Sequence, residues 1–267
     1  MKQTWFLMGD IHGEASPIKA FYQKIKKKLS VGSENNHIIL LGDFGANYSL
    51  HGWRDYKFKK ELSKYPFTYI ALRGNHEARV KNVMEMFPEK WEKISKYGGE
   101  IYREKEFPRI EYLDDVPAKY EFGGYKTLAI PGAYSVDKWY RIINKMVWYE
   151  DEQLTEEEME LGRQIVKEEG NFDLVISHTC PSNYTPNDLF IKGIDQSMVD
   201  NSMEIYLREI EFLLDYKRWA CGHFHVDRLY PLHEGSGMLL LFNENVVDLK
   251  KFMEMSEKDF LQDIYAK

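Results

Sequence analysis

Short apolar runs recur along the chain at Trp5–Met8, His37–Leu41, Phe67–Leu72, Lys126–Ile130, Asp173–Ser177, Arg218–Cys221 and Met238–Phe242. They are continuous rather than alternating, which predicts strands covered on both faces. Segments of helical period lie between them. In SPIKAFYQKIKKKL, Ser16 is the expected N-cap, Pro17 takes the first helical position, and Ile18, Phe21, Tyr22, Ile25 and Leu29 form one apolar face. Thr155 with Glu158 predicts a capping box, opening a helix that Gly170 stops. In SMEIYLREIEFLLDY, Tyr206, Ile210, Leu213 and Leu214 make a further face. RLYPLHEGSGMLLLFN predicts a hairpin turning at Gly235-Ser236-Gly237. The turn-rich stretch 181–201 has the length of a functional lid or of a disordered surface excursion.

Strands alternating with helices imply a layered α/β fold with helices flanking sheet. No linker and no repeat of solenoid period divides the chain, so 1–267 reads as one domain. Composition changes this picture little: 43% hydrophobic and 30% charged residues are ordinary for a soluble globular protein. No apolar run approaches the roughly 20 residues that span a bilayer, and the apolar stretch after Met1 is too short for a signal peptide. Two cysteines, Cys180 and Cys221, give no disulfide framework and suit a reducing cytoplasm; they read as small buried residues. A net charge of −7 argues against nucleic acid as a partner, while leaving room for a local basic pocket.

The chemistry-bearing residues gather where strands end. Asp10 and His12 follow the first run, Asp43 the second, Asn75 and His76 the third, His178 the run at 173–177, and His223 and His225 the run at 218–221. Five of the eight histidines therefore lie at strand ends, and a glycine precedes the polar group in four of the five places. In an open α/β sheet, ligands bind beyond the carboxyl ends of the strands, so these groups are expected to converge. Two Asp, one Asn and four His form a thiolate-free O/N set suited to Mn²⁺, Fe or Zn²⁺. Seven donors exceed one tetrahedral shell, and two ions sharing a bridging carboxylate account for them.

GDIHG, GDF, LRGNHE, a lone His after a strand, and GHFH, in that order from Gly9 to His225, resemble the calcineurin-like metallophosphoesterases. GDIHG and LRGNHE are most similar to the serine/threonine phosphoprotein phosphatase branch. The resemblance implies an α/β fold of two mixed β-sheets sandwiched and flanked by α-helices. It implies that Asp10, His12 and His225 hold one divalent ion, that Asn75, His178 and His223 hold a second, and that Asp43 bridges them. It further implies hydrolysis of a phosphate ester (phosphoprotein, nucleotide or small molecule) by a hydroxide between the metals, with His76 as general acid.

One departure is informative. The branch continues GD as xVDRG, supplying an Asp that orients the catalytic His and an Arg that clamps phosphate. Here the run is GDFGANY, so Ala46 and Asn47 stand at those positions. Candidates to replace the Arg are Arg79, Arg54, Lys138 and Arg141, with Arg79 best placed by sequence. Glu77 or Asp137 could orient His76. PGAYSVDKWYR resembles a loop of some bacterial and phage members, which would bring Tyr134 and Asp137 to the pocket. The missing Arg tilts the balance towards diesters or small nucleotides. A nuclease and a non-catalytic scaffold are the remaining readings; intact ligands speak against the scaffold, and acidic charge against the nuclease.

Overall fold

In this computed structural model, which describes residues 3–29, 31–49, 52–190, 199–232, 236–243 and 245–256, every apolar run named above forms a strand. β1 (Thr4–Met8), β2 (Asn36–Leu40) and β3 (Thr68–Ala71) lie parallel and adjacent, with Leu7 opposite Ile39 and Ile39 opposite Ile70. α1 (Ser16–Ile25) and α2 (Trp53–Leu62) make the crossovers, and α3 (Val80–Met86) follows β3. β4 (Trp91–Lys96) and β5 (Gly99–Glu104) form a hairpin. Its turn residues Tyr97 and Gly98 both have positive φ, 56° and 77°, which matches the twist of a two-residue hairpin loop. β6 (Ile110–Tyr112) returns beside β3.

A second hairpin, β7 (Ala118–Phe122) and β8 (Tyr125–Ile130), opens the other sheet. α4 (Lys138–Ile143) and α5 (Glu156–Glu169) lead to β9 (Asn171–Ser177), and α6 (Ser202–Leu213) leads to β10 (Asp215–Cys221). β11 (Arg228–Pro231), β12 (Gly237–Leu240), β13 (Val247–Asp248) and α7 (Leu249–Glu254) follow. One sheet has the order β13-β1-β2-β3-β6-β5-β4, the other β11-β12-β10-β9-β8-β7. Both mix parallel and antiparallel pairs. This is the expected sandwich of two mixed sheets flanked by helices.

Three apolar layers explain the continuous runs. Leu7, Ile39 and Ile70 of one sheet pack against Leu174, Ile176 and Ala220 of the other. The alternate residues Met8, Ile38 and Leu40 face outward onto Ile18 and Phe21 of α1 and Phe58 of α2. On the far side Leu128, Val175 and Trp219 meet Met159 and Val166 of α5 and Met203, Tyr206 and Leu207 of α6. Every central strand is thus apolar on both faces, because burial of either face stabilises it. Cys180 and Cys221 are free thiols buried in this third layer.

Several local expectations shift. Ala15, with no side-chain bond, caps α1, and Ser16 is already helical. The Thr155–Glu158 capping box is present, and Gly170 ends α5 with φ 71°. On α6, Leu213 faces solvent while Met203 and Leu207 share the buried face with Tyr206 and Ile210. β11 and β12 pair antiparallel as expected, but Gly235 of their turn lies outside the described residues. So do residues 191–198, the centre of the stretch expected to be a lid or excursion. Among the described residues, no helix is long and apolar enough to cross a membrane.

His37 on β2 stacks on Trp5, with ring centroids 3.9 Å apart and planes 7° from parallel. Burial, with Lys96 nearby, pushes this imidazole down from 6.5 to about 4. A folded-state value below the unfolded one means that the fold requires the neutral ring. Its contribution is complete above pH 6.5 and is lost as the pH falls towards 4. Denaturant melts of metal-free protein should show wild type losing up to about 3 kcal/mol more than His37→Phe between pH 7.5 and 4.5. Equal losses in the two proteins would refute that assignment.

Candidate metal centre

Five strand ends deliver the polar residues to one place. His178 Nε2, after β9, lies 3.6 Å from Asp43 Oδ1, after β2, and 2.8 Å from Asn75 Oδ1, after β3. His12 Nδ1 is 3.8 Å from Asp43 Oδ2, and His225 Nε2 is 3.4 Å from Asp10 Oδ2. The His12 and His225 Nε2 atoms face each other at 2.9 Å. The His223 ring stands 5.0 Å from that of His178, and its backbone N–H donates to Asp10 Oδ1. Asp10, His12 and His225 present donor atoms within 4.8 Å of one another, and so do Asp10, Asp43 and His178. All seven expected ligands are therefore gathered, with Asp10 belonging to both clusters.

Backbone geometry carries much of this arrangement. Four of the seven, His12, Asp43, His223 and His225, hold left-handed φ values of 47°, 46°, 69° and 51°. That conformation is uncommon outside glycine and is kept only where surrounding contacts impose it. The preceding glycines have a second use. A Cβ on Gly74 would sit 2.1 Å from Asp43 Oδ1, and one on Gly222 would sit 2.2 Å from Asp10 Oδ1. Each glycine is the gap through which a neighbouring carboxylate reaches the centre.

The donors fit a cation. His178 Nδ1 donates to the Leu41 carbonyl at 2.8 Å, which leaves the Nε2 lone pair facing the Asn75 amide oxygen. Two acceptors in that position need either a second ring proton or a metal ion between them. Among the described residues Asp10 Oδ2 is buried with no well-aligned hydrogen bond, His225 Nε2 at 3.4 Å being its polar neighbour. Burial would raise Asp10, but the neighbouring imidazoles of His178 and His225 and the backbone N–H of His223 hold it at about 2. Burial, followed by the Asp10 charge, pushes Asp43 up, and burial pushes His223 down to about 3. Crowded carboxylates beside His12 and His223, whose rings burial keeps from protonating, are a setting in which a divalent ion relieves both.

Beside this cluster opens a cavity of about 240 Å³, lined by His12, Asp43, Tyr48, Arg54, His76 and Arg141. His76 Nε2 lies 3.9 Å from Asp43 Oδ2 and accepts from Arg141 Nη2 at 3.1 Å. Burial, reinforced by that guanidinium, pushes His76 down to about 3. Arg141 is aimed by Asp137, whose carboxylate accepts from its Nε at 2.7 Å, and its Nη1 reaches Tyr48 Oη at 3.4 Å.

The family model for calcineurin-like phosphoesterases matches residues 6–227. The chain belongs to the calcineurin-like phosphoesterase family. No curated protein matches it. Among solved structures it is similar to a dimetal phosphatase from Danio rerio, at 8% identity over 90% of this chain and 87% of that one, with a TM-score of 0.50. It is also similar to the protein TT1561 of Thermus thermophilus, at 12% identity over 94% and 96% of the two chains, TM-score 0.48. A 5'-nucleotidase from Candida albicans matches at 12% identity over 92% of this chain and 48% of that one, TM-score 0.43. These likenesses are of fold. They do not single out the phosphoprotein phosphatase branch.

Within this phosphoesterase the expected substrate residues divide. Arg141 and Arg54 reach the cavity. Arg79, best placed by sequence, turns away to Glu158 and to the carbonyls of Asp151 and Gln153. Lys138 stacks over the Trp148 ring at 4.5 Å, and Tyr134 is buried. Neither candidate for orienting His76 touches it. Glu77 instead accepts from the backbone N–H of Gly45 and Gly74, while Asp137 holds Arg141. Sequence reading missed Tyr48, Ser135 and Glu152, and only the proximity of Ser135 to Asp137 in one motif pointed that way. Gly222→Ala should force Asp10 aside, lowering stability by about 1–3 kcal/mol and cutting metal uptake. Thermal melts in chelator together with metal analysis check this, and a fully loaded, equally stable variant would contradict it.

Proposed function

We propose that this protein hydrolyses phosphate monoesters with two divalent ions (Mn, Fe or Zn) held by Asp10, His12, Asp43, Asn75, His178, His223 and His225. The observation that carries this is the convergence of these residues from five strand ends, five of them with donor atoms in two overlapping clusters, beside a cavity containing two arginines. Bound there, the ions would make water acidic enough to ionise near neutral pH and would neutralise charge on phosphoryl oxygens. Asp43 lies within 4 Å of donors on both sides, which suits a bridging carboxylate. Arg141 and Arg54 take the role of the branch's missing phosphate clamp, and two guanidiniums favour a dianionic monoester over a diester.

His76 donates the proton to the leaving oxygen. In the resting site Arg141 bonds His76 Nε2 and keeps the ring neutral. A phosphate entering between them accepts the guanidinium's hydrogen bonds, and its negative charge raises the imidazole towards the protonated form. The whole chain acts as one domain, and its two free, buried thiols suit the cytoplasm.

The test compares p-nitrophenyl phosphate with bis-p-nitrophenyl phosphate on Mn²⁺-loaded protein. The monoester should be preferred. His76→Ala should keep both ions and lose about 10²–10⁴ in turnover, and Asp43→Ala should lose both ions and activity. Arg141→Ala should cost the monoester about 10- to 100-fold in kcat/KM, and the diester less. Arg79→Ala should leave turnover near wild type while lowering Tm. Full activity in Asp43→Ala would overturn the two-ion scheme.

A further inference from the structure

An asparagine ligand poses a problem that histidine and aspartate do not. Its amide oxygen and nitrogen are nearly the same size, and only the oxygen can bind a cation. Packing cannot tell the two ends apart, so hydrogen bonds must. Asn75 is buried, and its Nδ2 donates to Ser135 Oγ at 2.8 Å. The hydroxyl accepts this bond with its own proton committed elsewhere, since Ser135 Oγ donates to Glu152 Oε2 at 2.5 Å. The second Glu152 oxygen accepts from the Ser135 backbone N–H at 2.9 Å, which pins the carboxylate. Arg73 Nη1 donates to the Glu152 carbonyl at 2.7 Å and ties that residue to the loop carrying Asn75. Ser135 and Glu152 are themselves buried. Every donor in the chain thus points one way, from Asn75 through Ser135 to a carboxylate that can only accept when ionised.

We infer that Ser135 and Glu152 are positioning residues that fix the polarity of the Asn75 amide, directing its oxygen towards His178 and the ion the two would share. This rests on the reading of Asn75 as a metal ligand and extends it to residues that touch neither ion nor substrate. The logic gives a sharp expectation for Glu152→Gln, which is nearly isosteric. With its oxygen still accepting from the Ser135 backbone, the new amide group faces the hydroxyl as a donor. The hydroxyl then accepts that bond and turns its proton to Asn75, whose oxygen is drawn away from the centre. Ser135→Ala removes the hydroxyl acceptor and leaves Nδ2 only its 3.4 Å approach to the His76 ring, whereas Ser135→Thr retains a hydroxyl.

Calorimetric titration of metal-free protein with Mn²⁺ tests this, together with Tm of each metal-free variant. Ser135→Ala and Glu152→Gln should each weaken one of two binding events by about 10- to 100-fold, the range for partners that orient ligands, and leave the other unchanged. Ser135→Thr should bind both ions as wild type does. Glu152→Gln serves as the test should Ser135→Ala fail to fold. A lowered Tm with both affinities intact would mean a purely structural role and overturn the inference alone. Fewer than two ions on wild type would overturn the two-ion reading and this inference with it.

Discussion

The structure depends on hydrogen bonds that cross from one sheet to the other at a single edge. The backbone N–H beyond β10 donates to Asp10 beyond β1, and the ring beyond β9 donates to the carbonyl beyond β2. Two sheets packed only through Leu, Ile and Ala could slide, because dispersion and the hydrophobic effect have little directional preference. These polar ties set the register of the sandwich where the chemistry sits. They need buried partners, since an unpaired buried polar group is costly. The apolar layers provide that dry setting and the ties exploit it, so fold and site stabilise each other.

Much of this is legible in the sequence, for a physical reason. Strands covered on both faces must be apolar throughout, so β1, β2, β3, β8, β9, β10 and β12 stand out as runs, and polar groups immediately after them lie at the sheet edge. The strands β4 and β7 escape notice because each has an exposed face, and β5 and β6 because charged residues interrupt their few apolar positions. Trp91–Lys96, for example, buries only Trp91 and interleaves charged residues. Leu213 misleads because a helix face is fixed by what packs on it, and α6 turns Met203 and Leu207 inward instead.

The site divides in the same way. The candidate ligands follow strand ends, and their convergence can be read from order and spacing, but the cationic partner of His76 cannot. Arg79 is close in sequence but turned away from the cavity, because its guanidinium is held by Glu158 and the carbonyls of Asp151 and Gln153. Arg141, sixty-five positions beyond His76, reaches it because Asp137 one turn earlier fixes the side chain. The left-handed backbone at four candidate ligands is also silent in the sequence, since His and Asp hold it only where surrounding contacts impose it.

Those four left-handed residues bear on how the protein comes into being as well as how it works. Each turn is held against local preference by long-range contacts between sheets, at a cost on the order of 1–2 kcal/mol per residue. A newly made chain gains little from forming them until the sandwich has closed, and an ion binding the assembled donors would add stability that the unfolded chain lacks. Scarcity of the cation would therefore reduce the amount of mature protein, and not merely the rate at which each molecule turns over.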